Sequence, residues 1–183
     1  MKAASLLVLA LLLSACAGTP ALPPVPVALD PARCDERIAE SERYLRAVAS
    51  PEDELRNAPW VAVALAEVRG RCPGRADEDA VLLRLANAAF FAGQFWLARE
   101  AYAELSARFP ESGFNFEDVG GRRARLLGDC ATDVAGLDAY RLALLDARHG
   151  RPESAHRRLL RVTGSGCEVL RTAGQELVAG LRG

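Results

Sequence analysis

Apolar residues recur at spacings of three and four from residue 33 to the end of the chain, and polar residues fill the positions between them. Leu82, Leu85, Ala86 and Ala89 fall on one helical face, as do Phe95, Ala98 and Tyr102. Strand signals are scarce: isoleucine occurs once, at Ile38, and alternating β-branched runs are absent. The pattern predicts helices over 33–49, 52–69 (with Pro59 as a potential break), 78–92, 95–108, 116–127, 131–149, 152–162 and 167–180. Local signals punctuate them. Ser50-Pro51-Glu52-Asp53 offers an N-cap, a first-turn proline and acids suited to the helix dipole. Asp77-Glu78-Asp79 opens another helix, and Ser165 with Glu168 has the spacing of a capping box. Gly93, Gly128 and Gly150 each follow a helical stretch and suit a left-handed stop. The expected class is all-α, with short loops joining antiparallel helical hairpins.

The first residues differ from the rest. Lys2 precedes an apolar run from Ala3 to Leu13, followed by Ser14, Ala15 and Cys16. The run is too short to span a bilayer and has the layout of an export signal. Leu13-Ser14-Ala15-Cys16 resembles the bacterial lipobox. The resemblance implies cleavage before Cys16, acylation of that cysteine and a lipid anchor in the cell envelope; Ala17 fits the outer-membrane sorting pattern. Residues 17–31 then hold Pro20, Pro23, Pro24, Pro26 and Pro31, an extended spacer with few backbone donors. The expected organisation is a signal peptide over 1–15, a lipidated cysteine and proline-rich linker over 16–32, and a helical domain over 33–183.

Within that domain, residues 79–110 read helix, glycine, helix, proline, and resemble a tetratricopeptide repeat. Ala86 matches the family's small residue in the first helix and Gly93 its turn. Phe95 matches the aromatic after the turn, Ala98 the close-packing alanine, Tyr102 the large aromatic and Pro110 the terminal proline. Leu82, Ala89 and Leu105 depart from the family pattern. Segments around Gly128 and Gly150 are weaker matches and out of register. The resemblance implies a short solenoid of stacked hairpins that binds a peptide or helix of another protein and does no chemistry itself.

Composition narrows the partners. The formal charge of −1 argues against nucleic acid. Charge is nevertheless uneven: residues 30–119 hold 11 arginines and 17 acids, while 120–162 hold 9 arginines and 5 acids. Arg122, Arg123, Arg125, Arg157, Arg158 and Arg161 are therefore candidates for a basic patch facing an acidic partner or anionic headgroups. Eight of the 11 aromatics fall between Phe90 and Phe116. Adjacent Phe90-Phe91 and Phe95-Trp96 cannot all point the same way on a helix, so Phe91 and Trp96 are candidate partner anchors.

With Cys16 assigned to lipid, Cys34, Cys72, Cys130 and Cys167 remain, an even number in an exported chain. Three pairings are possible. Cys34–Cys72 and Cys130–Cys167 are preferred, because each closes a loop of similar length and ties the ends of a hairpin. Metal-ligand spacing is absent, and no cofactor motif occurs. The expected function is a lipid-anchored envelope scaffold facing the periplasm, whose partners are an envelope protein or peptide and, through the anchor, the membrane. A structural lipoprotein without a peptide groove is the alternative. A hydrolase using His149 or His156 is the third, because only these histidines exist and their spacing fits no catalytic set.

Overall fold

The computed structural model describes residues 27–113 and 120–181. The signal segment, Cys16, most of the linker, Phe114, Phe116 and the expected helix start at 116 lie outside the described residues. Among the described residues the chain forms eight helices and no strand: α1 (Pro31–Arg46), α2 (Pro51–Arg71), α3 (Glu78–Phe91), α4 (Phe95–Arg108), α5 (Gly120–Asp129), α6 (Val134–Arg148), α7 (Pro152–Thr163) and α8 (Glu168–Gly180). The protein is all-α. No helix among the described residues is long and apolar enough to cross a membrane.

Local chemistry sets the boundaries. The Asp30 carboxylate accepts from the Arg33 amide at 2.9 Å ahead of Pro31. Ser50 Oγ accepts from the Asp53 amide at 3.1 Å ahead of Pro51. Asp133 Oδ1 accepts from the Gly136 amide at 2.9 Å and starts α6. Each satisfies an amide that the first turn of a helix leaves without a partner. Gly93 and Gly150 end α3 and α6 with φ of 76° and 68°. In both turns the following amide reaches back five residues at 2.8 Å, from Gln94 to the Ala89 carbonyl and from Arg151 to that of Asp146. This is the Schellman closure, which favours glycine at the left-handed position.

Three local expectations are corrected. Helix α2 runs through Pro59 without a break. Gly128 lies inside α5 and stops nothing. Ser165 does not cap α8, which begins after Cys167; its hydroxyl is instead donated to Asp133 and accepts from the Cys167 amide at 3.0 Å.

Helices α1 to α5 pack in sequence, each on the next. The α3–α4 hairpin is held by close contact between small residues: Ala86, Ala98 and Ala101 are completely buried, with Tyr102 and Leu105 beside them. Sequential stacking then ends. Helix α5 packs on α4 and α8 rather than alongside α6, while α6, α7 and α8 form a compact unit whose α6 also touches α3. The covalent reason lies at the turns. Cys130–Cys167 joins the α5–α6 turn to the α7–α8 turn, and so brings α8 against both α5 and α6. The other bridge, Cys34–Cys72, ties the first turn of α1 to the end of α2. These are the two pairings that similar loop lengths favour. One connected core, including Val61, Leu85, Phe90, Leu127, Leu145, Leu159 and Leu170, runs through both parts.

Candidate functional site

The stack and the C-terminal unit meet at the N-terminal end of α2. Glu54, in the first turn of α2, receives Arg148 at 2.8 Å and His149 at 3.1 Å. Glu52 receives both terminal nitrogens of Arg151, at 2.6 and 3.1 Å. Acids at a helix start face bases at the end of α6, so both helix dipoles favour the joint. The Arg151 hydrogen bond holds the Glu52 carboxyl below its ordinary range. Arg141 completes the joint by donating to the Phe91 carbonyl at 2.7 Å.

A cavity of about 420 Å³ opens at this joint, lined by residues of α1, α2, α3, α5 and α6 with Val48. Ala58, Ala88 and Phe91 give it an apolar wall, and Leu45 and Val48 extend that wall to the rim. Arg84, Arg123 and Arg148 line it as well. The Arg148 and Arg123 guanidinium carbons lie 4.5 and 5.1 Å from the centre of the Phe91 ring, within cation–π range. Arg123 also stands 5.2 Å from the Phe90 ring and donates to Asn87 Oδ1. That oxygen takes a second hydrogen bond from the Tyr102 hydroxyl at 2.8 Å. Burial raises the Tyr102 phenol above its ordinary pKa, and nearby Arg123 opposes the shift. Asn57 is fixed by donating to the Tyr44 carbonyl at 3.0 Å.

The charge of this cavity is unequal. Glu54 is matched by Arg148 and His149, and Arg84 has Glu42 at 3.4 Å. Among the described residues Arg123 makes no ion pair and is held by the Asn87 amide, the Tyr102 hydroxyl and aromatic faces. The site thus sets an apolar wall of Ala58, Ala88 and the edge of Phe91 beside arginines. That suits a side chain or chain end with an apolar body and an anionic group. Metal chemistry has no ligand set here, since no group of three histidine, cysteine or acidic residues is placed to hold an ion among the described residues.

The candidate anchors are distributed differently from expectation. Phe91 is only 4% exposed and Phe90 is fully buried, so this pair offers no free aromatic. The correction has a simple cause: α6 and α5 cover the face of α3 that a lone hairpin would leave open, and Arg123 and Arg148 cover the ring. Phe91 still forms part of the cavity wall. Trp96, at 66% exposure, stands free on α4, away from the cavity. The expected basic patch divides into two. Arg122, Arg123 and Arg125 line a groove of about 630 Å³ between α5, α6 and α8, where Arg122 pairs with Glu176 at 3.2 Å. Arg157, Arg158 and Arg161 line a separate groove between α6 and α7. His149 is engaged by Glu54, while His156 stands on the exposed face of α7.

Glu54, Asn57, Arg84, Asn87 and Arg148 belong to the cavity and were not singled out in the sequence. Asn87 carried a signal, as a polar residue within the otherwise apolar run Leu85–Phe91. Glu54 carried none, because its position in the first turn of α2 already explains an acid. Compared with known proteins, the chain matches no family model, no curated protein and no solved structure.

Proposed function

We propose that this protein is a lipid-anchored adaptor of the bacterial envelope. In this reading, Cys16 carries the lipid at the outer membrane and the domain, a short solenoid of tetratricopeptide type with a folded-back end, faces the periplasm. It seats a segment of another envelope protein in the cavity over Phe91. The observation that carries the reading is that cavity, an apolar wall beside arginines where two packed units meet. Its placement supports the reading too. The chain enters the domain at the far end of α2, where the Leu29 amide donates to the Arg71 carbonyl at 2.8 Å and Arg71 Nε donates to the Val27 carbonyl at 2.9 Å. Asn57 in the cavity is 14 residues back along the same helix. At 1.5 Å per residue this puts about 21 Å between the cavity and the Arg71 end of the helix.

Two measurements test the reading. The intact mass of the envelope form is expected to show a chain starting at Cys16 with acyl groups, and Cys16→Ser is expected to release the domain from the membrane fraction. Affinity capture from solubilised envelopes is expected to return a protein that Arg84→Glu loses and Trp96→Ala retains. Capture unaffected by Arg84→Glu, or an unacylated mature chain, would contradict it.

A further inference from the structure

Most arginines of the chain are already engaged, and the exceptions on α7 are informative. Arg157 and Arg161 are one turn apart and share a face of that helix. Neither guanidinium makes a hydrogen bond or ion pair among the described residues. Both line a groove of about 320 Å³ between α6 and α7, together with Arg158, Ser154 and Asp138. The other charges there are settled. Arg158 and Ser154 both donate to the buried Asp146 carboxylate, at 2.6 and 2.7 Å. Asp138 is held by Arg141. Glu153, one turn before Arg157 on α7, makes no ion pair with it. Two uncompensated cations therefore face one concavity, and their charge equals that of a phosphate dianion. A carboxylate would neutralise one of them, whereas a tetrahedral oxyanion can bridge two guanidinium forks. Ala139 and Leu142 supply an apolar wall beside them, and Leu160, between the two arginines in sequence, is 63% exposed.

We propose that the α6–α7 groove binds a phosphate group carried on an apolar body, with Arg157 and Arg161 as its ligands and Arg158 and Ser154, fixed by Asp146, as its floor. The site is independent of the partner cavity. That phosphate is a monoester, carried either on a lipid such as phosphatidic acid or on a soluble body, and the same two arginines serve both.

The chain from Val27 onward carries the whole core and both disulfides, and is the form to test. In one arm, inorganic phosphate and glycerol phosphate are titrated into the labelled domain by NMR. In the other, the domain is floated with phosphatidylethanolamine vesicles containing one quarter phosphatidic acid, and with vesicles lacking it. Binding in either arm that falls at least tenfold in Arg157→Gln/Arg161→Gln, and is unchanged in Arg125→Gln, supports the site; the arm that responds names the source. Because both arginines are exposed, the variant is expected to melt with the wild type. Absence of binding in both arms, binding within twofold of wild type in the double variant, or capture by poly-L-glutamate in preference to both phosphate probes would overturn it, the last pointing to an acidic protein instead.

Discussion

The two ends of the molecule carry net charge of opposite sign, acidic over residues 30–119 and basic over 120–162. In the α1–α4 stack, arginine and acid are interlaced: Arg37 with Glu40 and Glu67, Arg69 with Glu104, Arg75 with Asp35 and Asp77, Arg108 with Glu78 and Glu104. In the C-terminal part, Arg122, Arg141 and Arg158 are paired, while Arg125, Arg157 and Arg161 make no ion pair among the described residues. Some acids there also serve structure: Asp133 starts α6 and holds Ser165, and Asp146 is buried under Arg158. The stack thus pairs most of its arginines yet keeps a net negative charge, with 11 arginines against 17 acids over residues 30–119. The C-terminal part carries an excess of arginine, 9 against 5 acids over residues 120–162, and Arg125, Arg157 and Arg161 line concavities there. Net charge near zero conceals this division, and recognition is expected where charge is left over rather than where it is dense.

The largest test of the contrast concerns the bridges. The loops span 38 and 37 residues, so chain entropy alone assigns each about 4 kcal/mol. Cys130→Ser/Cys167→Ser is expected to lose that amount and also to raise amide exchange in α8 and α5, which the bridge holds together. Cys34→Ser/Cys72→Ser should lose a similar amount, with exchange rising in α1 and the end of α2. Urea denaturation with hydrogen exchange measures both; uniform loosening in each variant would erase the distinction between the units.

Packing gives the next effect. A Cβ on Gly174 would lie 2.6 Å from Val162 Cγ1, a stiff β-branched neighbour, whereas one on Gly70 would meet nothing within 4 Å. Gly174→Ala should destabilise the α7–α8 contact by about 1–3 kcal/mol. Gly70→Ala, within α2, should stabilise by about 0.5–1 kcal/mol. Equal effects would mean that α8 is not packed as described.

Much of this arrangement was legible in the sequence. Ser50, Gly93 and Gly150 act through neighbours a few residues away, so their roles survive any tertiary context. The alanines at 86 and 98 announce a close helix pair for the same reason. Legibility fails where a distant partner takes over a local signal. Ser165 has capping-box spacing, yet Asp133, 32 residues earlier, holds its hydroxyl. Phe91 was a candidate for exposure because a hairpin has two faces, but α6 returns from 50 residues further on to cover the second. The cavity beside Phe91 was illegible for that reason, being made mainly of side chains from five helices whose meeting depends on the fold-back at α5–α6.

Acid should separate the units more gently. Glu67 is held below the usual carboxylate range by its hydrogen bond from Arg37, and then by the charges of Arg37 and Arg71. Asp77 is lowered by Arg75, and Asp53 by the Ser50 hydroxyl. Depressed carboxyls contribute stability that is complete above their unfolded values, about 4, and is lost as pH falls through the folded ones. All three lie in the stack. Below about pH 4, amide protection should therefore fail in α1–α3 before α6–α8; the reverse order would contradict the comparison. The smallest effect is expected at Trp96. Its exposed ring should give solvent-like fluorescence, and Trp96→Ala should change stability by no more than about 0.5 kcal/mol.

The central claim is that a partner sits where the two units join. Photo-crosslinking addresses it most directly, with a photoreactive residue placed in turn at Leu45 on the cavity rim and at Val63 on the exposed side of α2. The prediction is an envelope-protein adduct of defined mass from position 45 that Arg84→Glu abolishes, and none from position 63. Adducts from 63 alone, or from 45 undiminished by Arg84→Glu, would contradict it.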